Sequence, residues 1–91
     1  MISRSGTIRN PHGIHVRPAT TILRAFQEYR GDLEIVGPRG DVARPNSALA
    51  LLGLGLVCGD SFTVRSASDS DASAVDKLVT MLEGIYDYRK P

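Results

Sequence analysis

The chain has little cysteine, little net charge and no long apolar run, and each shortage removes a class of function. A single cysteine, Cys58, rules out an internal disulfide and agrees with a reducing compartment. A formal net charge of +1 leaves no strong electrostatic footprint for nucleic acid. The longest apolar run, Ala48 to Cys58, is broken by Gly53 and Gly55. It falls well short of the ~20 residues of a membrane span. The opening Met1-Ile2-Ser3-Arg4-Ser5-Gly6 has no apolar core for a signal peptide. No internal repeat and no low-complexity segment is present. There is also no Gly-rich nucleotide loop and no carboxylate cluster suited to Mg²⁺.

What is present suits a compact domain. The 91 residues are 42% hydrophobic, near the globular norm, and long enough for one core but not two. The expectation is a single domain over residues 1–91, cytoplasmic, without membrane or nucleic-acid partners, and monomeric by default. The start at Met1 favours a free protein.

The periodicities place the elements. Residues 2–9, with Ile2, Gly6 and Ile8 on one side, read as a strand. Asn10-Pro11-His12-Gly13 is loop chemistry. From Pro18 onward Ala19, Ile22, Leu23 and Phe26 recur at helical spacing, with Gly31 as the stop. Leu33 and Ile35 alternate with charged residues as in a strand. Gly37-Pro38-Arg39-Gly40 reads as a hairpin turn before a short strand around 41–44. Asn46 or Ser47 caps a second helix whose segment 48–54 is apolar all round. A partly exposed docking patch is one outcome of that apolarity, and pure core is the other. Gly59-Asp60 turns into a strand containing Phe62 and Val64. Ser70, between Asp69 and Asp71, suits the cap of a last helix with Val75, Leu78, Val79, Leu82 and Ile85 as its buried stripe. The order β-α-β-β-α-β-α predicts an α+β open-faced sandwich, a four-stranded antiparallel sheet with three helices on one face.

The chemistry-bearing stretch is Gly13-Ile14-His15-Val16-Arg17-Pro18-Ala19. A histidine stands just ahead of a helix start, where unpaired backbone N–H groups and a partial positive charge can receive phosphate oxygens. Arg17 adds a guanidinium matched to phosphate geometry. A neutral imidazole is a competent nucleophile toward phosphorus. The positive helix end favours the neutral ring and then stabilises the anionic phosphohistidine. No second catalytic group completes a hydrolytic set, so the arrangement describes a carrier charged by one partner and discharged to another rather than a stand-alone enzyme.

The same string resembles the active-site signature of the HPr family, the histidine-containing phosphocarriers of the bacterial phosphoenolpyruvate-dependent phosphotransferase system. Val16 stands where the family usually has alanine. Asn46-Ser47-Ala48-Leu49-Ala50-Leu51-Leu52-Gly53-Leu54 is similar to the family's serine and second-helix segment, and the resemblance extends over essentially the whole chain. It implies that His15 takes phosphate on Nδ1 from enzyme I and passes it to an EIIA domain, with Arg17 contacting the phosphoryl group. It also implies partner docking through Val16 and Thr20 on the first helix and Ala48, Leu49 and Leu52 on the second. Ser47 matches the residue that HPr kinase/phosphorylase modifies in some bacteria; an ordinary helix cap is its other reading. Asn46, where many kinase-regulated members carry lysine, resembles the nitrogen-regulatory paralogue NPr.

No cofactor and no metal is called for. His12 and His15 form a His-x-x-His pair, but zinc needs further ligands and Cys58 is the only thiol. Cys58 reads as a turn-flanking or buried small hydrophobe. Arg24 and Arg30 read as solvated charges beside the first helix, and Tyr86 and Tyr88 as cover for the sheet edge or core rim.

Overall fold

A computed structural model describes residues 1–11, 13, 16–29 and 31–84, with only the backbone of Val16 and Arg17. In chain order the elements are β1 (Ile2–Thr7), α1 (Val16–Phe26), β2 (Leu33–Val36), β3 (Val42–Ala43), α2 (Ala48–Gly53), β4 (Ser61–Ser66), a single 3-10 turn (Asp69–Asp71) and α3 (Ala72–Glu83). The strands form one antiparallel sheet in the order β1-β4-β2-β3. This is the expected open-faced sandwich, with the expected order of elements.

Alternation along the strands decides which face is covered. Leu33 and Ile35 of β2 and Phe62, Val64 and Ser66 of β4 are buried. The apolar ones share a core with Ala19, Ile22 and Phe26 of α1, Leu51 of α2, and Val75, Leu78 and Leu82 of α3. The opposite face is polar: Ser5 and Thr63 are cross-strand partners with their hydroxyl oxygens 3.2 Å apart, and Arg65 donates to Glu34 at 2.9 Å. Leu23 and Val79, expected in the buried stripes, are only half-buried, and Ile85 lies outside the described residues.

The end of α3 is tied to the sheet edge. A Cβ at Gly6 would stand 2.6 Å from Phe62 Cζ and 2.8 Å from Glu83 Oε2. With no side chain there, Glu83 reaches the strand and accepts the Thr7 N–H at 3.0 Å. An outward N–H of the edge strand is thereby satisfied.

Strand β1 ends at Thr7 rather than at residue 9, β3 is only Val42–Ala43, and two helix boundaries also depart from the sequence reading. Helix α1 stops at Phe26, short of Gly31. The Tyr29 N–H turns back to the Phe26 carbonyl at 3.0 Å, and the two rings meet edge to face with centroids 5.8 Å apart. The Tyr29 hydroxyl donates to Asp71, and the absence of a Cβ at Gly31 leaves room for its ring. A tertiary contact, not glycine, therefore ends the helix. At the last helix, Ser70 is not the cap. Ser68 caps the 3-10 turn, its hydroxyl accepting the Ser70 N–H at 3.3 Å, and Asp71 stands at the α3 N-cap position without a side-chain capping bond. The Asp71 carboxylate instead faces the core, taking hydrogen bonds from Ser66 Oγ at 2.5 Å and from Tyr29.

This network makes stability depend on pH at both ends of the scale. The hydrogen bonds from Ser66 and Tyr29 hold the Asp71 carboxyl below its ordinary value. Burial, helped by the bond to Asp71 and its charge, pushes the Tyr29 phenol up to about 12. A lowered carboxylate contributes stability that is present above its ordinary value of 3.8 and lost as pH falls through the folded value. A raised phenol contributes stability that is present below its ordinary value of 10.0 and lost as pH rises toward 12. Thermal midpoints measured from pH 7 down to pH 2 should therefore fall less steeply below pH 4 in Asp71→Asn than in the wild-type chain. Parallel profiles would show that Asp71 contributes nothing to acid sensitivity.

Candidate functional site

His12, Ile14 and His15, and the side chains of Val16 and Arg17, lie outside the described residues. Two neighbouring parts of the chain are described: the loop through Gly13 before it in sequence and helix α1 after it.

The upstream anchor is a clasp between two loops. The Ile8 N–H donates to the Asp60 carbonyl at 2.9 Å, and the Gly59 N–H donates to the Ile8 carbonyl at 2.8 Å. Asn10, fully buried, donates from Nδ2 to the Gly13 carbonyl at 2.7 Å, while the Gly13 N–H returns to the Asn10 carbonyl at 2.8 Å. Gly13 is left-handed, with φ of 67°, and a Cβ there would lie 2.9 Å from Val57 Cα and overlap the Leu56 carbonyl. The Leu56–Val57 backbone is the wall on which the loop rests. Asp60 stiffens that wall, its N–H donating to the Val57 carbonyl at 2.9 Å and its Oδ2 accepting the Val57 N–H at 3.0 Å.

The downstream anchor is α1, which opens at Val16 with Pro18 and Ala19 buried. Proline is tolerated in the first turn because its missing N–H would have had no partner in the helix. No acidic residue stands in that turn, so nothing there offsets the positive end of the helix dipole.

Helix α2 packs against α1. Ser47 is its N-cap, with φ −134° and ψ 107°, and its Oγ accepts the Ala50 N–H at 3.1 Å. Leu51 is buried, Ala48 and Leu52 are half-buried, and Leu49 is 82% exposed. The apolar segment thus divides, with Leu51 and Leu54 in the core and Leu49 presented to solvent. Thr20 is half-buried on the neighbouring helix. The last turn of α2 holds no basic residue of its own; Arg39 of the β2–β3 hairpin supplies one, donating from Nη2 to the Leu54 carbonyl at 3.0 Å. Cys58 is exposed in a turn, with Sγ 3.8 Å from the Arg9 carbonyl, and Arg24 is exposed. Arg30, Tyr86 and Tyr88 lie outside the described residues. Among the described residues no group of His, Cys, Asp and Glu gathers as a metal site, and no helix is long and apolar enough to cross a membrane.

Sequence reasoning missed Asn10 and Arg39. Asn10 sits in a polar loop string that announces a turn, and nothing local marks its amide as buried. Arg39 reads as a turn residue because its carbonyl partner lies 15 residues away.

A four-stranded antiparallel sheet with helices on one face, with the histidine string preceding the first of them in sequence, is the arrangement expected of a small phosphocarrier domain. The family model for the PTS HPr component phosphorylation site matches residues 2–84, and the chain belongs to the HPr family of phosphocarriers. It is 28% identical over 76 residues to the phosphocarrier protein HPr of Mycoplasma pneumoniae, covering 84% of this chain and 86% of that one. It is 24% identical to the phosphocarrier protein NPr of Klebsiella oxytoca, over 94% and 96% of the two chains. It is also 39% identical over 66 residues to DhaM of Pantoea ananatis, the phosphoryl donor subunit of a PEP-dependent dihydroxyacetone kinase. That match covers 72% of this chain but 14% of DhaM. The fold is that of the crystal structure of HPr from Bacillus anthracis, with a TM-score of 0.78 at 16% identity over 89% of this chain and 95% of that one.

Proposed function

We propose that the chain carries a phosphoryl group on His15 between a phosphorylated enzyme I and an EIIA domain of the sugar phosphotransferase system in the cytoplasm. The observation that carries this reading is membership in the HPr family over residues 2–84 with the Gly-Ile-His-Val-Arg-Pro-Ala string in register with the start of α1. In the forward step the His15 Nδ1 lone pair attacks phosphorus, an N–P bond forms, and the donor's bond to phosphorus breaks with its electrons returning to the donor. Arg17 contacts the phosphoryl oxygens, and the first N–H groups of α1 offer further donors. Docking runs through Val16, Thr20, Ala48, Leu49 and Leu52, of which Leu49 supplies the exposed apolar contact. Such an interface is small and short-lived.

Incubation with phosphoenolpyruvate and enzyme I should add one acid-labile phosphoryl group by intact mass, and His15→Ala should add none. An unmodified wild-type chain, or equal yield in His15→Ala, would reject the reading.

A second reading keeps the chemistry and changes the acceptor. The DhaM match, at 39% identity, supports delivery to a kinase system rather than to a sugar permease, and the NPr match supports a nitrogen-regulatory branch. Offering the phosphorylated chain to an EIIA domain, to a nitrogen-branch EIIA and to a dihydroxyacetone kinase distinguishes them by which acceptor removes the label. Regulation through HPr kinase/phosphorylase would act at Ser47, whose oxygen already caps α2; acid-stable phosphate lost in Ser47→Ala would be its signature.

A further inference from the structure

We infer that Asn10 is a positioning residue for the phosphoryl acceptor: its buried amide clamps the Gly13 carbonyl and so sets where the chain departs toward His15. The inference rests on the proposed role of His15 and adds a residue that the histidine string does not contain.

Three observations carry it. First, the clamp is internal and two-stranded. Nδ2 of Asn10 holds the Gly13 carbonyl at 2.7 Å, and the Gly13 N–H holds the Asn10 carbonyl at 2.8 Å, so one residue fixes both polar groups of the other. Second, the side chain is fully buried, so water does not compete for the carbonyl. Removing the amide strands that carbonyl, or admits a water where the chain had a fixed donor. Third, only Ile14 and His15 separate Gly13 from Val16, the first residue of α1. Gly13 is therefore the last described position before the histidine, and its departure direction is set by described contacts. On the inference, the Asn10 clamp acts on His15 by setting that direction. The Leu56–Val57 wall stops Gly13 from moving inward but does not stop it from lifting away. The Asn10 amide supplies that second restraint.

A positioning role predicts a loss in the chemical step rather than in partner docking. Docking is assigned to α1 and α2, which Asn10 does not belong to, and misplacement of a reacting group by ~1 Å costs roughly 10²-fold in rate. The experiment measures phosphoryl transfer from phosphorylated enzyme I to the full chain, with kcat and the KM for the chain determined separately, at a temperature where circular dichroism shows each variant folded. Asn10→Ala should lower kcat by about 10–10²-fold with KM changed less than twofold. Asn10→Asp keeps the shape and is informative even if Asn10→Ala does not fold. Its buried carboxyl can replace the donor only while protonated. Its kcat should therefore approach that of the wild type at low pH and fall as pH rises, adding an ionisation to the pH profile that the wild type lacks.

Wild-type kcat in both variants, with an unaltered pH profile, would overturn the inference. So would a loss confined to KM, which would place Asn10 with docking. Failure of the wild-type chain to accept phosphate at all would instead reject the proposed function, so the two failures are distinguishable.

Discussion

Gly13→Val is expected to reduce phosphoryl acceptance by ~10²-fold or more and to destabilise the fold by about 1–3 kcal/mol. Two separate constraints meet at this position. The backbone is left-handed, with φ of 67°, a region that costs β-branched residues most. The space is also taken, because a Cβ would sit 2.9 Å from Val57 Cα and overlap the Leu56 carbonyl. Both obstacles are backbone atoms, which cannot rotate aside as the tip of a long side chain can. The loop must lift, and lifting pulls against the Asn10 clamp and the α1 start at once. Gly53 is the control. It lies within α2, and a Cβ there meets nothing within 4 Å. Gly53→Ala should stabilise the chain by up to ~1 kcal/mol through helix propensity alone, leaving transfer unchanged. Urea unfolding and phosphoryl uptake, measured on both variants, check the pair. Wild-type uptake in Gly13→Val would mean that the seat of the loop does not matter to the acceptor.

The contrast between those glycines shows where sequence reasoning carries and where it stops. Order and type of the elements were legible because they follow from local alternation and helical spacing: Leu33 and Ile35 alternate, Ala19, Ile22 and Phe26 share one stripe, and all five are buried. Ser47 was legible as a cap because capping is a contact between near neighbours. Gly13 and Gly53 look alike in sequence, since what separates them is a wall contributed by Leu56 and Val57. The same limit explains the end of α1. Gly31 is a sound local stop, but the bond from Tyr29 to Asp71 spans 42 residues and takes precedence. At the α3 start, Ser70 is well placed by local rules, yet Asp71 is drawn inward by Ser66 and Tyr29, and Ser68 is left to cap. His15 and Arg17 are nominated by another route, the chemistry of a histidine and an arginine at a helix start. That route points to side chains in the string itself, and nothing in it marks the buried amide of Asn10 or the bond from Arg39 to Leu54.

Leucine gives the sharpest separation of fold from function, through Leu78 and Leu49. Leu78 is fully buried in the stripe of α3, within a core it shares with Phe62, Val64 and Ile22. Leu78→Ala is expected to cost about 2–5 kcal/mol, the loss of apolar burial plus the cavity left behind. A domain of this size has roughly 5–14 kcal/mol in total, so the variant would forfeit a large share of it. At ~4–8 °C per kcal/mol for a small domain, the thermal midpoint should fall by roughly 8–40 °C. Leu49 has the opposite environment, at 82% exposed on a helix of six residues. Leu49→Ala should change stability by no more than ~0.5 kcal/mol. If α2 is the docking element, the same variant should raise the KM for transfer from enzyme I with kcat retained. Leu78→Ala should instead lose activity only in proportion to the fraction unfolded. Measuring thermal midpoint, KM and kcat on both variants tests the assignment. A Leu49→Ala chain that is as stable as the wild type and transfers with an unchanged KM would remove α2 from the docking surface. The exposure of that leucine would then have to be explained without a partner.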